Sequence, residues 1–245
     1  MQFTVFALSS VPDTATTRQL FDLHDLDDKS VSKVMFHRRK QQTGSSETLR
    51  WDQRAVASLT LISHGSEKLQ IDSMNLGSHS EEAMLQVFFE SALAGGPLLS
   101  WGGASLELPL VHFRALKHRL CAPAYWQALK AGEDPYLDIR AWMTPGDTDL
   151  PTLNATALKL GFPGLLGRTE DEVTDAWLSD RQDYRVQAFS DLCALNTYLL
   201  ALRLLTVTGE LNHDENQSAQ ARLRGRLGDE TSDHLQAFLA AWSAA

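Results

Sequence analysis

The chain has 245 residues, 43% of them hydrophobic and 22% charged, which supplies the core of one large α/β domain. The formal net charge is −9 and the pI near 5.3, which excludes a protein that coats nucleic acid through overall charge, though not one with a local basic patch. Residues 1–8 lack the layout of a signal peptide, and the best apolar run, 196–207, is interrupted by Arg203, so no membrane association is expected. The two cysteines, Cys121 and Cys193, lie far apart without metal-type spacing, which suits a reducing cytoplasm rather than a disulfide scaffold.

The elements follow in chain order. Residues 2–8, Gln-Phe-Thr-Val-Phe-Ala-Leu, are β-branched and aromatic and predict a central strand, ended by Val11-Pro12-Asp13. Residues 22–44 are polar. A short helix is expected from Lys29, packed by Val31, Val34 and Met35, and the rest, to Arg54, is an ordered excursion or a mobile loop. Residues 55–63 and 68–74 predict a hairpin across His64-Gly65-Ser66. Ser80 caps a helix whose apolar positions are Met84, Leu85, Phe88, Phe89 and Leu93. Gly95-Gly96-Pro97 stops it. A short strand at 98–101, a tight turn at Gly102-Gly103 and a helix at 106–120, with Pro109 in its first turn, follow. From there the chain reads as helical: 153–160, 170–179, a long helix at 181–208 and two tail helices at 216–226 and 231–242. Strand, strand, strand, helix, strand, helix is the ribonuclease H-like plan. One unit over 1–245 is expected, with a strand-rich core at about 1–120 and a helical part at about 150–245.

Three segments resemble one family, the predicted 3′–5′ exonucleases related to the proofreading domain of B-family DNA polymerases, in the DEDD superfamily. Phe6-Ala7-Leu8-Ser9-Ser10-Val11-Pro12-Asp13 stands where the family has Phe-Asp-Ile-Glu-Thr-Val-Pro-Asp. Ser100-Trp101-Gly102-Gly103 with Leu106-Glu107-Leu108-Pro109 resembles Ser-Trp-Asn-Gly with Phe-Asp-Leu-Pro. Phe189 to Tyr198 resembles Tyr-Cys-Glu-x-Asp-Val-Leu-Asn-Thr-Tyr, and Gly161-Phe162-Pro163-Gly164 a Gly-x-Pro-Gly turn. The resemblance implies a mixed sheet flanked by helices, and a site where carboxylates hold two divalent metals that activate a water.

The positions implied for that site are Ala7, Ser9, Glu107 and Cys193, with Phe189 where a Tyr orients the water. None keeps the family's residue type. Ala and Phe offer no ligand, Ser is neutral, and the thiol of Cys193 is a soft donor unsuited to Mg²⁺. The expectation is a non-catalytic relative without a cofactor, which binds single-stranded nucleic acid or a protein partner. The alternative is a weak Mg²⁺- or Mn²⁺-dependent exonuclease with a rebuilt acidic site at Glu107, Asp138 and Asp191. Against that, Asp138 reads as a turn cap, Asp191 as a solvent-facing residue and Cys193 as a small core residue. The cluster Arg38, Arg39 and Lys40, with Arg50 and Arg54, either touches phosphates or is a solvated loop. Trp101 either stacks on a base or belongs to the core. Arg222, Arg224 and Arg226 read as a solvated helix face.

Overall fold

The structure is a computed structural model and describes residues 1–93, 95–132, 136–143 and 151–244. A mixed sheet runs in the order β3-β2-β1-β4-β5. Strands β1 (Phe3–Pro12), β2 (Arg54–His64) and β3 (Leu69–Asn75) are antiparallel, and β4 (Leu98–Ser100) and β5 (Tyr136–Asp138) add in parallel. Helices flank it on both sides, an α/β arrangement of the ribonuclease H-like exonuclease kind. They are α1 (Thr14–Phe21), α2 (Asp28–Thr43), α3 (Glu81–Ser91), α4 (Glu107–His118), α5 (Pro123–Lys130), α6 (Ile139–Met143), α7 (Leu153–Lys159), α8 (Glu170–Asp180), α9 (Asp183–Val207), α10 (His213–Gly228) and α11 (Asp233–Ala244).

β1 is central because both of its faces are apolar; all ten of its residues are buried. Phe3, Val5 and Ala7 face a core built from α9, including Leu192, Leu195 and Leu199. Phe6 and Leu8 face the opposite layer, where Met84, Leu85 and Phe88 of α3 meet Leu110, Val111 and Ala115 of α4. α9 is long and apolar enough to cross a membrane by composition, but most of it is buried between the sheet and the tail helices. Its buried Tyr198 hydroxyl bonds His64 Nδ1 at 2.8 Å, and Phe3 stacks on that imidazole.

Several elements depart from expectation, each for a local reason. β1 runs on to Pro12 through a register irregularity between Ser9 and Ser10. Asp13 does not merely end the strand; its carboxylate accepts the Thr16 N–H and starts α1. α2 is a full helix of 16 residues, so the basic cluster is helical rather than looped. β5 is a fifth strand inside a stretch read as helical. α10, read from its arginines as a solvated helix face, also buries Ala219, Leu223 and Leu227.

A buried ion cluster locks this framework. Arg114 of α4 pairs with Glu81 at the start of α3 and with Asp13 after β1. Lys117 bonds Asp13 at 2.7 Å and His118 bonds Glu81 at 2.8 Å. Burial alone would raise the Asp13 carboxyl, but the hydrogen bonds from Lys117 and Thr16 and the Arg114 charge outweigh it, and the group falls to about 2.

Candidate functional site

β1, the loop into α4, α9 and the start of α8 meet at two adjoining cavities. One, of about 120 Å³, is lined by Ser9, Ser10, Glu107, Glu170, Phe189 and Cys193. The other, of about 330 Å³, shares Glu107, Glu170, Phe189 and Cys193 and adds Ala7, Trp101, Arg140 and Asn154. The five positions inferred from the sequence, Ala7, Ser9, Glu107, Phe189 and Cys193, therefore line one cleft although they are spread across the chain.

Four of the five offer no hard anionic donor. Ala7 is buried and has no polar atom. Ser9 donates its hydroxyl to the Val186 carbonyl at 3.2 Å, spending its polar atom on the backbone of α9. Cys193 is driven far above the ordinary thiol range by burial, and the Glu107, Glu170 and Asp191 carboxylates push the same way, so it is a neutral thiol rather than a ligand or nucleophile. Phe189 holds the aromatic wall without a hydroxyl.

Glu107 is the one carboxyl left at those positions. The chain passes close beside it because Gly103 has no side chain; a Cβ there would lie 2.6 Å from Glu107 Oε2 and 2.9 Å from the Tyr136 hydroxyl. Glu107 Oε1 accepts the Leu8 N–H at 3.4 Å, while Oε2 is buried with no hydrogen-bond partner. Burial raises its carboxyl to about 8; the Leu8 N–H and nearby Ser100 hydroxyl act against the shift, and the Asp138 and Glu170 charges add to it. At neutral pH Glu107 is mostly a carboxylic acid.

The remaining carboxylates have other employment. Asp138 accepts the N–H groups of Gly102 at 2.8 Å, Ala104 at 3.3 Å, Arg140 at 3.0 Å and Ala141 at 3.2 Å, so it holds the turn after β4. Asp191 does not face solvent. It is buried and accepts the Thr60 hydroxyl at 2.6 Å, the Ser73 hydroxyl at 2.7 Å and His234 Nε2–H at 2.8 Å. Glu170, which no motif pointed to, lines both cavities and pairs with Arg54 at 2.8 Å. Among the described residues no three His, Cys, Asp or Glu side chains form a group able to hold a metal ion. The donor set does not fit a two-metal centre.

The other singled-out residues divide. Trp101 lines the larger cavity with its Nε1 buried and unbonded. Arg38 lies over the Phe21 ring, Arg39 donates to the Thr48 carbonyl, Lys40 pairs with Glu47 and Arg50 with Asp52. Of this basic set, only Arg54 reaches the cleft, through Glu170. Arg222 bonds the Ser66 carbonyl, Arg224 lies over Trp242 and Arg226 pairs with Glu230, so the tail-helix arginines have local partners rather than a purely solvated face. The Gly-x-Pro-Gly turn and α9 are tied by reciprocal bonds: Asn196 Oδ1 accepts the Gly164 N–H at 3.0 Å and Asn196 Nδ2 donates to the Gly164 carbonyl at 2.8 Å.

A sheet with β1 at its centre, a fourth strand added in parallel and a long helix laid across the resulting cleft define the exonuclease-like class. The chain belongs to the family of predicted 3′–5′ exonucleases related to the exonuclease domain of PolB, whose sequence model matches residues 48–242. β1, with Ala7 and Ser9, lies ahead of the matched span, and its place in the site rests on its pairing with β2 and β4. No curated protein matches the chain.

Proposed function

We propose that this protein is a non-catalytic member of its exonuclease family, a nucleic-acid-binding or regulatory module that works without a metal cofactor. One observation carries the reading: the five positions around the cleft meet in space, yet Glu107 is the only carboxyl among them. Two-metal phosphodiester hydrolysis needs ionised oxygen donors around both cations. The cleft itself persists, with Trp101 and Phe189 as aromatic walls and Arg140 as a cation, features that suit a single-stranded end. A protein partner on the same cleft is the other form of a binding role. The free cysteines Cys121 and Cys193 accord with a reducing, cytoplasmic setting.

A second reading has one observation in its favour. Glu170 lies beside Glu107 in both cavities, so a weak Mn²⁺-dependent exonuclease would centre on that pair rather than on Asp138 and Asp191. Titration of Mn²⁺ into the purified protein by calorimetry, with a labelled single-stranded oligonucleotide assayed in parallel, separates the readings. No metal heat, no cleavage and salt-sensitive oligonucleotide binding are expected. Cleavage that disappears in Glu107→Ala would overturn the proposal. Neither cleavage nor oligonucleotide binding would leave the protein-docking form.

A further inference from the structure

Phe189 and Val173 form a wall with a cavity on each side. Beyond the cleft described above, their other side lines a cavity of about 600 Å³, within the range of small-molecule sites. Its polar lining comes from four places in the chain: Arg168 before α8, Glu172 of α8, Arg185 of α9, and Asp233 and His234 of α11.

Among the described residues, neither arginine side chain has a carboxylate, carbonyl or ring partner. By contrast, Arg18, Arg50, Arg54, Arg114, Arg181 and Arg226 pair with carboxylates, Arg38, Arg203 and Arg224 lie over aromatic rings, and Arg39 and Arg222 bond backbone carbonyls. Arg168 and Arg185, like Arg119 elsewhere on the surface, do none of these among the described residues, but these two line one cavity, in a chain whose net charge is −9. The imidazole beside them is fixed. His234 Nε2 donates to Asp191, and Asp191 is held in turn by the Thr60 and Ser73 hydroxyls of the sheet. The acidic groups of the lining, Glu172 and Asp233, also lack an ion-pair partner among the described residues. Two unpaired guanidiniums and two unpaired carboxylates around one cavity complement a ligand that carries both signs.

We propose that this cavity binds a small phosphate ester whose other end carries a cationic, hydrogen-bond-donating group, with the phosphate on Arg168 and Arg185 and the cationic end on Glu172 and Asp233. Neither the metal chemistry of the family nor the cleft across Phe189 takes part.

Calorimetry on the full chain at low ionic strength, with phosphoethanolamine, methyl phosphate and ethanolamine as probes, tests it. Phosphoethanolamine is expected to bind at one site, methyl phosphate several-fold more weakly, and ethanolamine not at all. Arg168→Ala and Arg185→Ala each weaken phosphoethanolamine by roughly 10- to 100-fold, the loss expected for a charged hydrogen-bond pair. Glu172→Gln narrows the preference over methyl phosphate while leaving methyl phosphate binding in place. Unchanged melting temperatures in the arginine variants, whose side chains are not in the core, attribute the loss to the site. The proposal is overturned by the absence of saturable binding for both phosphates, or by binding that survives the double arginine variant. It is also overturned if an unphosphorylated single-stranded oligonucleotide displaces phosphoethanolamine more effectively than methyl phosphate does, which would assign the arginines to a polymer groove.

Discussion

Replacing Glu107 by Gln should stabilise this protein, and the gain should grow with pH. Gln copies the shape and neutrality of the protonated carboxyl but cannot ionise. Burial places the Glu107 carboxyl at about 8 in the folded chain against an ordinary 4.5. The folded state thus keeps a proton that the unfolded state gives up above 4.5. Stability from this group is complete below 4.5 and is lost as the pH rises through about 8. At pH 7 the accumulated cost is about 3 kcal/mol, and at pH 5 it is below about 1 kcal/mol. For a chain of this size, Glu107→Gln should raise the melting temperature by roughly 6–12 °C at pH 7 and only slightly at pH 5. Melting curves of both proteins across pH 5 to 8 measure this directly. A difference that does not vary with pH, or a Gln variant that melts lower at pH 7, would refute the argument. A functional metal site would give the opposite sign: with Mn²⁺ present the wild type would gain stability and the Gln variant would lose that gain.

The framework offers three further tests. Arg114→Ala leaves Asp13 and Glu81 buried without their shared guanidinium and should cost about 3–5 kcal/mol by denaturant titration. The Asp13 carboxyl, held at about 2 against 3.8, contributes stability present above 3.8 and lost as the pH falls through about 2; Asp13→Asn removes about 2 kcal/mol of acid-sensitive stability. His64 is pushed down to about 4, first by burial and then by the Arg222 and N-terminal charges. The folded protein resists protonating it, so stability should fall as the pH drops from 6.5 toward 4. His64→Gln should flatten that part of the pH–melting profile.

Much of this architecture is legible in the residues. β1 reads as central because apolar residues occupy successive positions, which only a strand covered on both faces tolerates. The cleft is legible through motif order: Phe6 to Asp13, Ser100 to Pro109 and Phe189 to Tyr198 fall on the elements that converge there. What escapes detection has weak local signals. β5 is three residues long and is specified by its pairing with β4, not by any pattern of its own. α2 buries only Val31, Ser32 and Met35, too narrow a stripe to announce 16 helical residues. Asp191 looks solvent-facing beside Ser190 on a helix, because its partners Thr60, Ser73 and His234 come from distant segments. Glu170 reads as the first residue of a capped helix, and nothing near it in sequence points to Glu107 or Arg54.

The carboxylates around the cleft show why a single reversion should not restore a metal centre. Each is compensated by something other than a cation from solution: Glu107 by a proton, Glu170 by Arg54, Asp138 by four backbone N–H groups, and Asp191 by two hydroxyls and His234. A metal entering there would have to displace these partners as well as shed its own water. Ala7→Asp puts one acid at a buried position on β1, yet of the carboxyls that line the same cavity Glu107 holds a proton and Glu170 is paired with Arg54. The new group would sit in low dielectric with no donor assigned to it, a cost of several kcal/mol, on the order of that for burying an unpaired ion. The variant should melt lower than wild type, and Mn²⁺ should not recover the loss. Recovery of the wild-type melting temperature with Mn²⁺, together with measurable heat in calorimetry, would show that the other carboxylates release their partners readily, and that this cleft is one substitution away from a metal site.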